Sequence, residues 1–214
     1  MTDNIGINFS LEPKLNDLVT IIGIFSPKAA AKITNRRIQA IYAILKSAQE
    51  KLNSLNLSNE EYRNICLKCQ IPIIENASLE EDPTLQDLWA NLIANSFNPH
   101  YDNEIRTSFI DILKKLTVFD AKLLKAYYYS NHPITYLDSV YANIWVDDHY
   151  KKVERRKIDE SFVVLKSLSL FDNTTLSDDR ILSNSSVVTF TNYYLTALGE
   201  LFIDACIKDA TQRS

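Results

Sequence analysis

Three glycines, Gly6, Gly23 and Gly199, are all that the 214 residues contain, and this scarcity constrains the fold more than any other feature. A phosphate-cradling loop or a dinucleotide fingerprint needs several glycines close together, because backbone must approach the phosphates. Glycines spaced this widely exclude both. The same scarcity favours helices over a many-turned β fold. A 46% hydrophobic, 23% charged balance argues against disorder, and the length suits one large domain or two small ones.

A net charge of −4 supplies no global pull toward nucleic acid or anionic membrane, which leaves only local basic segments for such roles. Cys66, Cys69 and Cys206 are an odd number and too few for a disulfide scaffold, which points to a reducing, cytoplasmic location. Met1–Ser10 is polar and acidic, unlike a signal peptide. The longest apolar run, Leu18 to Phe25, is broken by Thr20 and Gly23. It falls short of the roughly 20 residues a spanning helix needs, so no membrane span is expected.

Along the chain, Leu11–Phe25 reads as an apolar helix. Ser26-Pro27 is a cap-plus-proline start for a second helix to about Leu52, with Ile38, Ile41, Tyr42, Leu45 and Leu52 on one face. A shorter helix is expected over Glu60–Gln70, then a short apolar piece, Pro72–Leu79. Asp82-Pro83 opens the cleanest amphipathic helix, with Leu85, Leu88, Trp89, Leu92 and Ile93 at helical spacing. It ends near Asn98-Pro99, and the next helix carries Ile105, Phe109, Ile112, Leu113 and Leu116. Thr117 and Asp120 form a capping box for a helix through Tyr129, broken at His132-Pro133. Beyond it, a helix over about Asp148–Leu170, turn-rich sequence over Asp172–Asn184, a β-branched strand at Ser186–Thr191 and a helix capped by Thr196 outline a winged-helix-like module. The expected fold is mainly α, a helical domain over residues 10–132 followed by a small α+β winged-helix-like region over 133–210.

Ile71 to Tyr127 contains IPIIENASLEEDPTLQDLWANLIANSFNP and then TSFIDILKKLTVFDAKLLKAY. A proline-led apolar helix, an acidic A-S-L-E turn, the stretch L-W-A-N-L-I-A-N and an S-F-x-x-I-L-K-x-L-x-x-x-D-A-x-x-L segment follow one another. In that order they resemble the central signature of the abortive-infection alpha family of bacterial phage-defence proteins. The matching positions include Ala77, Ser78, Leu79, Glu80, Trp89, Ala90, Asn91, Leu92, Ala94, Asn95, Phe109, Leu113, Leu116, Asp120 and Ala121. Leu165–Leu170 and Leu195–Cys206 are similar to the family's ending, an L-x-x-L-x-L helix terminus and an L-T-x-x-G-x-x-F-x-x-x-C helix. Asp172–Ser186 departs from the pattern. The resemblance implies a role in antiviral defence and carries over no catalytic residues.

Each group with chemical potential has a plainer reading. Cys66 and Cys69 form a C-x-x-C, but a structural zinc needs two more ligands, and His100, His132 and His149 are scattered; lining a core edge explains the pair as well. Trp89, Asn91 and Asn95 are candidate interaction residues, either a partner-recognition face or a core tryptophan with amides that fix helix packing. Lys28, Lys32, Arg36 and Arg37 make a basic stripe that suits phosphate, an acidic partner or solvent. Lys151, Lys152, Arg155, Arg156 and Lys157 are candidate nucleic-acid-binding residues at the start of a helix before the wing, with Trp145 and Tyr150 as stacking groups. Asp147, Asp148, Glu154, Asp159 and Glu160 interleave and blunt their attraction for phosphate. Glu80, Glu81 and Asp82 suit the positive end of a helix better than acid–base work. G-x-S-x-G is absent, and Ser108 and Ser161 lack a histidine nearby in sequence. Leu15–Ile33 would lie on a membrane surface or in the core.

These features point to a non-enzymatic defence protein without cofactor or metal, acting through a protein partner or self-association, with Trp89 in its scaffold. A DNA-binding regulator of a defence locus and a membrane-acting effector are the alternatives.

Overall fold

The computed structural model describes residues 35–55, 63, 67–129, 155–177 and 189–209. Among them are seven α-helices and a two-stranded antiparallel sheet: α1 (Asn35–Asn53), α2 (Leu67–Ala77), α3 (Pro83–Phe97), α4 (Thr107–Leu113), α5 (Val118–Tyr129), α6 (Arg155–Ser167), β1 (Phe171–Ser177), β2 (Thr189–Leu195) and α7 (Ala197–Cys206). The mainly helical expectation holds. The expected first helix, the Ser26-Pro27 start, Lys28, Lys32, Cys66, the His132-Pro133 break, Trp145, Tyr150, Lys151 and Lys152 lie outside the described residues. No helix among the described residues is long and apolar enough to cross a membrane.

The chain divides into two compact units. The described residues up to Lys115, with Lys208 and Asp209, form one; those between Leu116 and Ile207 form the other. In the first, α1 packs most extensively on α3, and α2 and α4 complete the core. The Asp82 carboxylate accepts from the Thr84 N–H at 2.8 Å, and Pro83 occupies the first turn where its missing N–H costs nothing. The buried stripe of α1 is Ala40, Ile41, Ile44, Ala48 and Leu52. It keeps Ile41 and Leu52 of the expected face but takes Ala40, Ile44 and Ala48 in place of Ile38, Tyr42 and Leu45, leaving Tyr42 44% exposed. Two alanines on the buried stripe admit a close neighbour where larger side chains would hold it off.

Two local expectations are corrected. Pro72–Leu79 is not a separate piece, because α2 runs through Pro72. Proline removes one intrahelical hydrogen bond at a typical cost of about 3 kcal/mol. Burial of Ile73 and Ala77 outweighs it here, and the Asn76 amide donates to the Pro72 carbonyl at 2.6 Å. The turn-rich stretch after Leu170 begins with a strand: β1 pairs with β2 from Phe171↔Leu195 to Ser177↔Thr189. Asp172 and Asn173 are poor strand formers alone, but the hairpin supplies their partners.

The second unit is built on aromatic contacts. Phe171 meets Phe162 of α6 edge-on at 5.4 Å and Tyr127 of α5 at 5.1 Å, while Tyr193 of β2 stacks on Phe162 at 4.5 Å. The turn after α6 is a Schellman motif with serine in the left-handed position: Ser169 has φ 60°, its N–H donates to the Lys166 carbonyl at 2.8 Å, and the Leu170 N–H reaches the Leu165 carbonyl at 3.0 Å. The Leu170 carbonyl then accepts from the Thr196 N–H at 3.1 Å, and the Thr196 hydroxyl caps α7 by accepting from the Gly199 N–H at 2.9 Å. The two halves of the family-like ending therefore meet around one carbonyl oxygen.

Candidate functional site

α3 carries the tryptophan–asparagine motif, and it is buried on every side. Trp89, Asn91 and Asn95 are 1%, 2% and 0% exposed, which leaves a partner almost nothing to touch while the unit is closed. The Asn95 amide N–H donates to the Lys208 carbonyl at 3.5 Å, so this residue meets the C-terminal segment. Close by in the same unit, the Lys51 ammonium lies 3.1 Å from Asp87 Oδ1 and 2.8 Å from Asp209 Oδ2. Burial works to lower the Lys51 pKa, but the hydrogen bond to Asp209 and the attraction of Asp87 outweigh it and hold the pKa above its ordinary value. The stability this contributes is therefore fully present below the ordinary lysine pKa and is lost as pH rises through the raised one. Nothing in the sequence flags this cluster, because Lys51 and Asp209 are 158 positions apart.

The acidic turn between α2 and α3 is occupied by local structure. Glu80 Oε1 accepts from the Asp82 N–H at 3.0 Å, the Gln86 amide donates to the Glu80 carbonyl at 2.9 Å, and Asp82 caps α3. Arg37 donates to Ser78 Oγ at 2.8 and 3.2 Å and to the Glu75 carbonyl at 3.4 Å. Arg36 and Glu81 stand 3.9 Å apart with side chains 79% and 68% exposed, a pair that contributes little in water. Around them, Arg36, Gln39, Ala40, Glu81 and Gln86 line a shallow groove of about 310 Å³. Leu79, in the same turn, is 59% exposed. The groove is thus lined by both charges, two amides and an alanine.

In the second unit, buried Asp120 gathers three donors. Its Oδ2 accepts from the Thr117 N–H at 2.9 Å and the Thr117 hydroxyl at 2.7 Å, and its Oδ1 accepts from the buried Ser161 hydroxyl of α6. The capping box read from sequence thus also ties α5 to α6, which the sequence did not reveal. Removing it in Asp120→Ala leaves the buried Ser161 hydroxyl without its acceptor and undoes the capping box at Thr117, and we expect a loss of about 1–3 kcal/mol, read as a lower urea midpoint. An unchanged midpoint would rule out this tie.

Of the basic residues expected to meet nucleic acid, Arg155 lies in the first turn of α6. Arg156 is exposed and pairs with Glu160 at 2.8 Å, and the Lys157 ammonium sits 4.9 Å from the Phe119 ring centroid. Cys69 is buried, with its thiol 3.5 Å from the Ile105 carbonyl. Burial pushes the Cys206 thiol well above its ordinary pKa, so it is protonated and a poor nucleophile at neutral pH. No group of three or more metal-binding side chains occurs among the described residues.

A family model described as abortive infection alpha matches residues 40–206. No curated protein and no solved structure matches the chain.

Proposed function

Because the chain belongs to the abortive infection alpha family, we propose that it is a non-enzymatic bacterial antiviral defence protein that works in the cytoplasm through protein–protein contact, self-association included. The observation that carries this reading is the fate of the reactive-looking groups. Glu80 and Asp82 build a turn and a cap, and Asp120 and Ser161 hold two helices together. Groups engaged in this way are scaffold, and they leave the recognition role to side chains on the surface. Arg36 and Glu81 at the groove, with exposed Leu79 two positions before Glu81 in the chain, fit that role: an apolar side chain with charges of both signs is the pattern of an interface with a polar rim.

The test is a phage challenge of cells carrying the gene with its native neighbours, at low and high multiplicity. Survival at low multiplicity with culture collapse at high multiplicity is expected. Arg36→Glu with Leu79→Asp should abolish protection, and recovery of a partner by pull-down, at unchanged melting temperature. Absence of protection against every phage would remove the defence role. A protective protein that stays monomeric and recovers no partner would remove the contact reading.

A second reading, a DNA-binding regulator of a defence locus, is favoured by the order of α6 and the β1–β2 hairpin, which is that of a recognition helix and a wing. Duplex binding at low salt, measured by anisotropy, tests it: Arg155→Glu with Arg156→Glu should abolish binding, and unchanged binding would sink the idea.

A further inference from the structure

We propose that the C-terminal segment at Lys208–Asp209 is a releasable strap on the α1–α3 pair, closed by Lys51 and Asn95 and able to open without stranding a charge. Both described residues of this segment belong to the compact unit that holds α1 and α3. Its described anchors are polar: Asp209 Oδ2 accepts from the Lys51 ammonium at 2.8 Å, and the Lys208 carbonyl accepts from the Asn95 amide at 3.5 Å. Neither Lys208 nor Asp209 is fully buried, so no apolar side chain of these two residues must leave the core on opening. A segment held by a few polar contacts opens at a small fraction of global stability.

Lys51 makes the release reversible. Its side chain is only 15% exposed, and a largely buried ammonium left alone resists separation from its partner. Here it has two acceptors from different elements, Asp87 at 3.1 Å and Asp209 at 2.8 Å. When Asp209 departs, Asp87 still neutralises the lysine. The two aspartates therefore have opposite effects: Asp209 closes the strap, while Asp87 makes opening tolerable by holding the lysine in the open state.

This opposition can be tested on the full chain by ¹⁵N relaxation of the Lys208 and Asp209 amides, with the amides of α1 and α3 as internal references. In Asp209→Asn the order parameters of the strap should fall by about a third, toward the range of flexible backbone, while those of α1 and α3 stay unchanged. In Asp87→Asn they should rise, because Lys51 then depends on Asp209 alone. Unmodified protein should loosen in the same place when ionic strength is raised from about 0.01 M to about 1 M, which shortens the screening length from about 30 Å to about 3 Å. Strap order parameters indifferent to both Asp209→Asn and salt would overturn the proposal, as would loosening rather than tightening in Asp87→Asn.

Discussion

Gly199→Ala should destabilise the C-terminal unit by about 3 kcal/mol or more, although alanine is the better helix former. On a free helix this substitution would stabilise by up to about 1 kcal/mol. Here an added Cβ would stand 2.1 Å from the Leu170 carbonyl oxygen, 3.0 Å from its carbon and 2.9 Å from Leu195 Cδ2. The leucine methyl can turn aside; the carbonyl cannot. Leu170 donates its N–H to Leu165 in the turn that ends α6, and its oxygen accepts from Thr196 at the start of α7. Either α7 lifts away or the turn is rebuilt, and both break the hydrogen bond from the Thr196 N–H to the Leu170 carbonyl. The check is the urea midpoint of amide protection in α6 and α7. A rise in that midpoint, the sign expected from helix propensity, would show that the close approach does not exist in solution.

Trp89→Ala should cost about 3–5 kcal/mol, the usual range for emptying a fully buried large aromatic site. Trp89 is 1% exposed, among the largest buried side chains, and lies on the helix that α1, α2 and α4 all pack against. Total stabilities of about 5–15 kcal/mol leave little margin after such a loss, so the first unit should be partly unfolded at 37 °C. Trp89→Phe, which keeps most of the volume, should be much milder. The same variant separates the two readings of the motif. A residue needed only for a partner would leave the urea midpoint intact and abolish partner recovery, whereas a scaffold residue lowers both together. A wild-type midpoint for Trp89→Ala would restore the recognition-face reading.

Local signals were legible in the sequence where a few neighbouring residues suffice to make the structure. Asp82-Pro83, Thr117 with Asp120, and Thr196 each start a helix as their side-chain chemistry dictates, because the cap acceptor and the N–H it serves lie within three residues of one another. The glycine scarcity, the helical spacing along Leu85–Ile93 and the family-like motifs likewise needed no knowledge of distant neighbours. The same holds for the family itself, since the order of motifs is a property of the chain.

Tertiary structure decided what depends on neighbours far along the chain. Pro72 stays inside α2 because burial around it outweighs a lost hydrogen bond, and Phe171–Ser177 is a strand because β2 pairs with it. The face that α1 buries was settled by what α3 could approach. The Trp89 motif reads from sequence equally well as surface or core, since periodicity shows which residues share a side and not whether a second helix covers the other. Lys51 with Asp87 and Asp209, and Asp120 with Ser161, have no sequence signature at all. The physical reason is the same throughout: caps and turns are satisfied within a few residues, whereas a buried charge or hydroxyl is satisfied by whichever partner the packed fold brings to it.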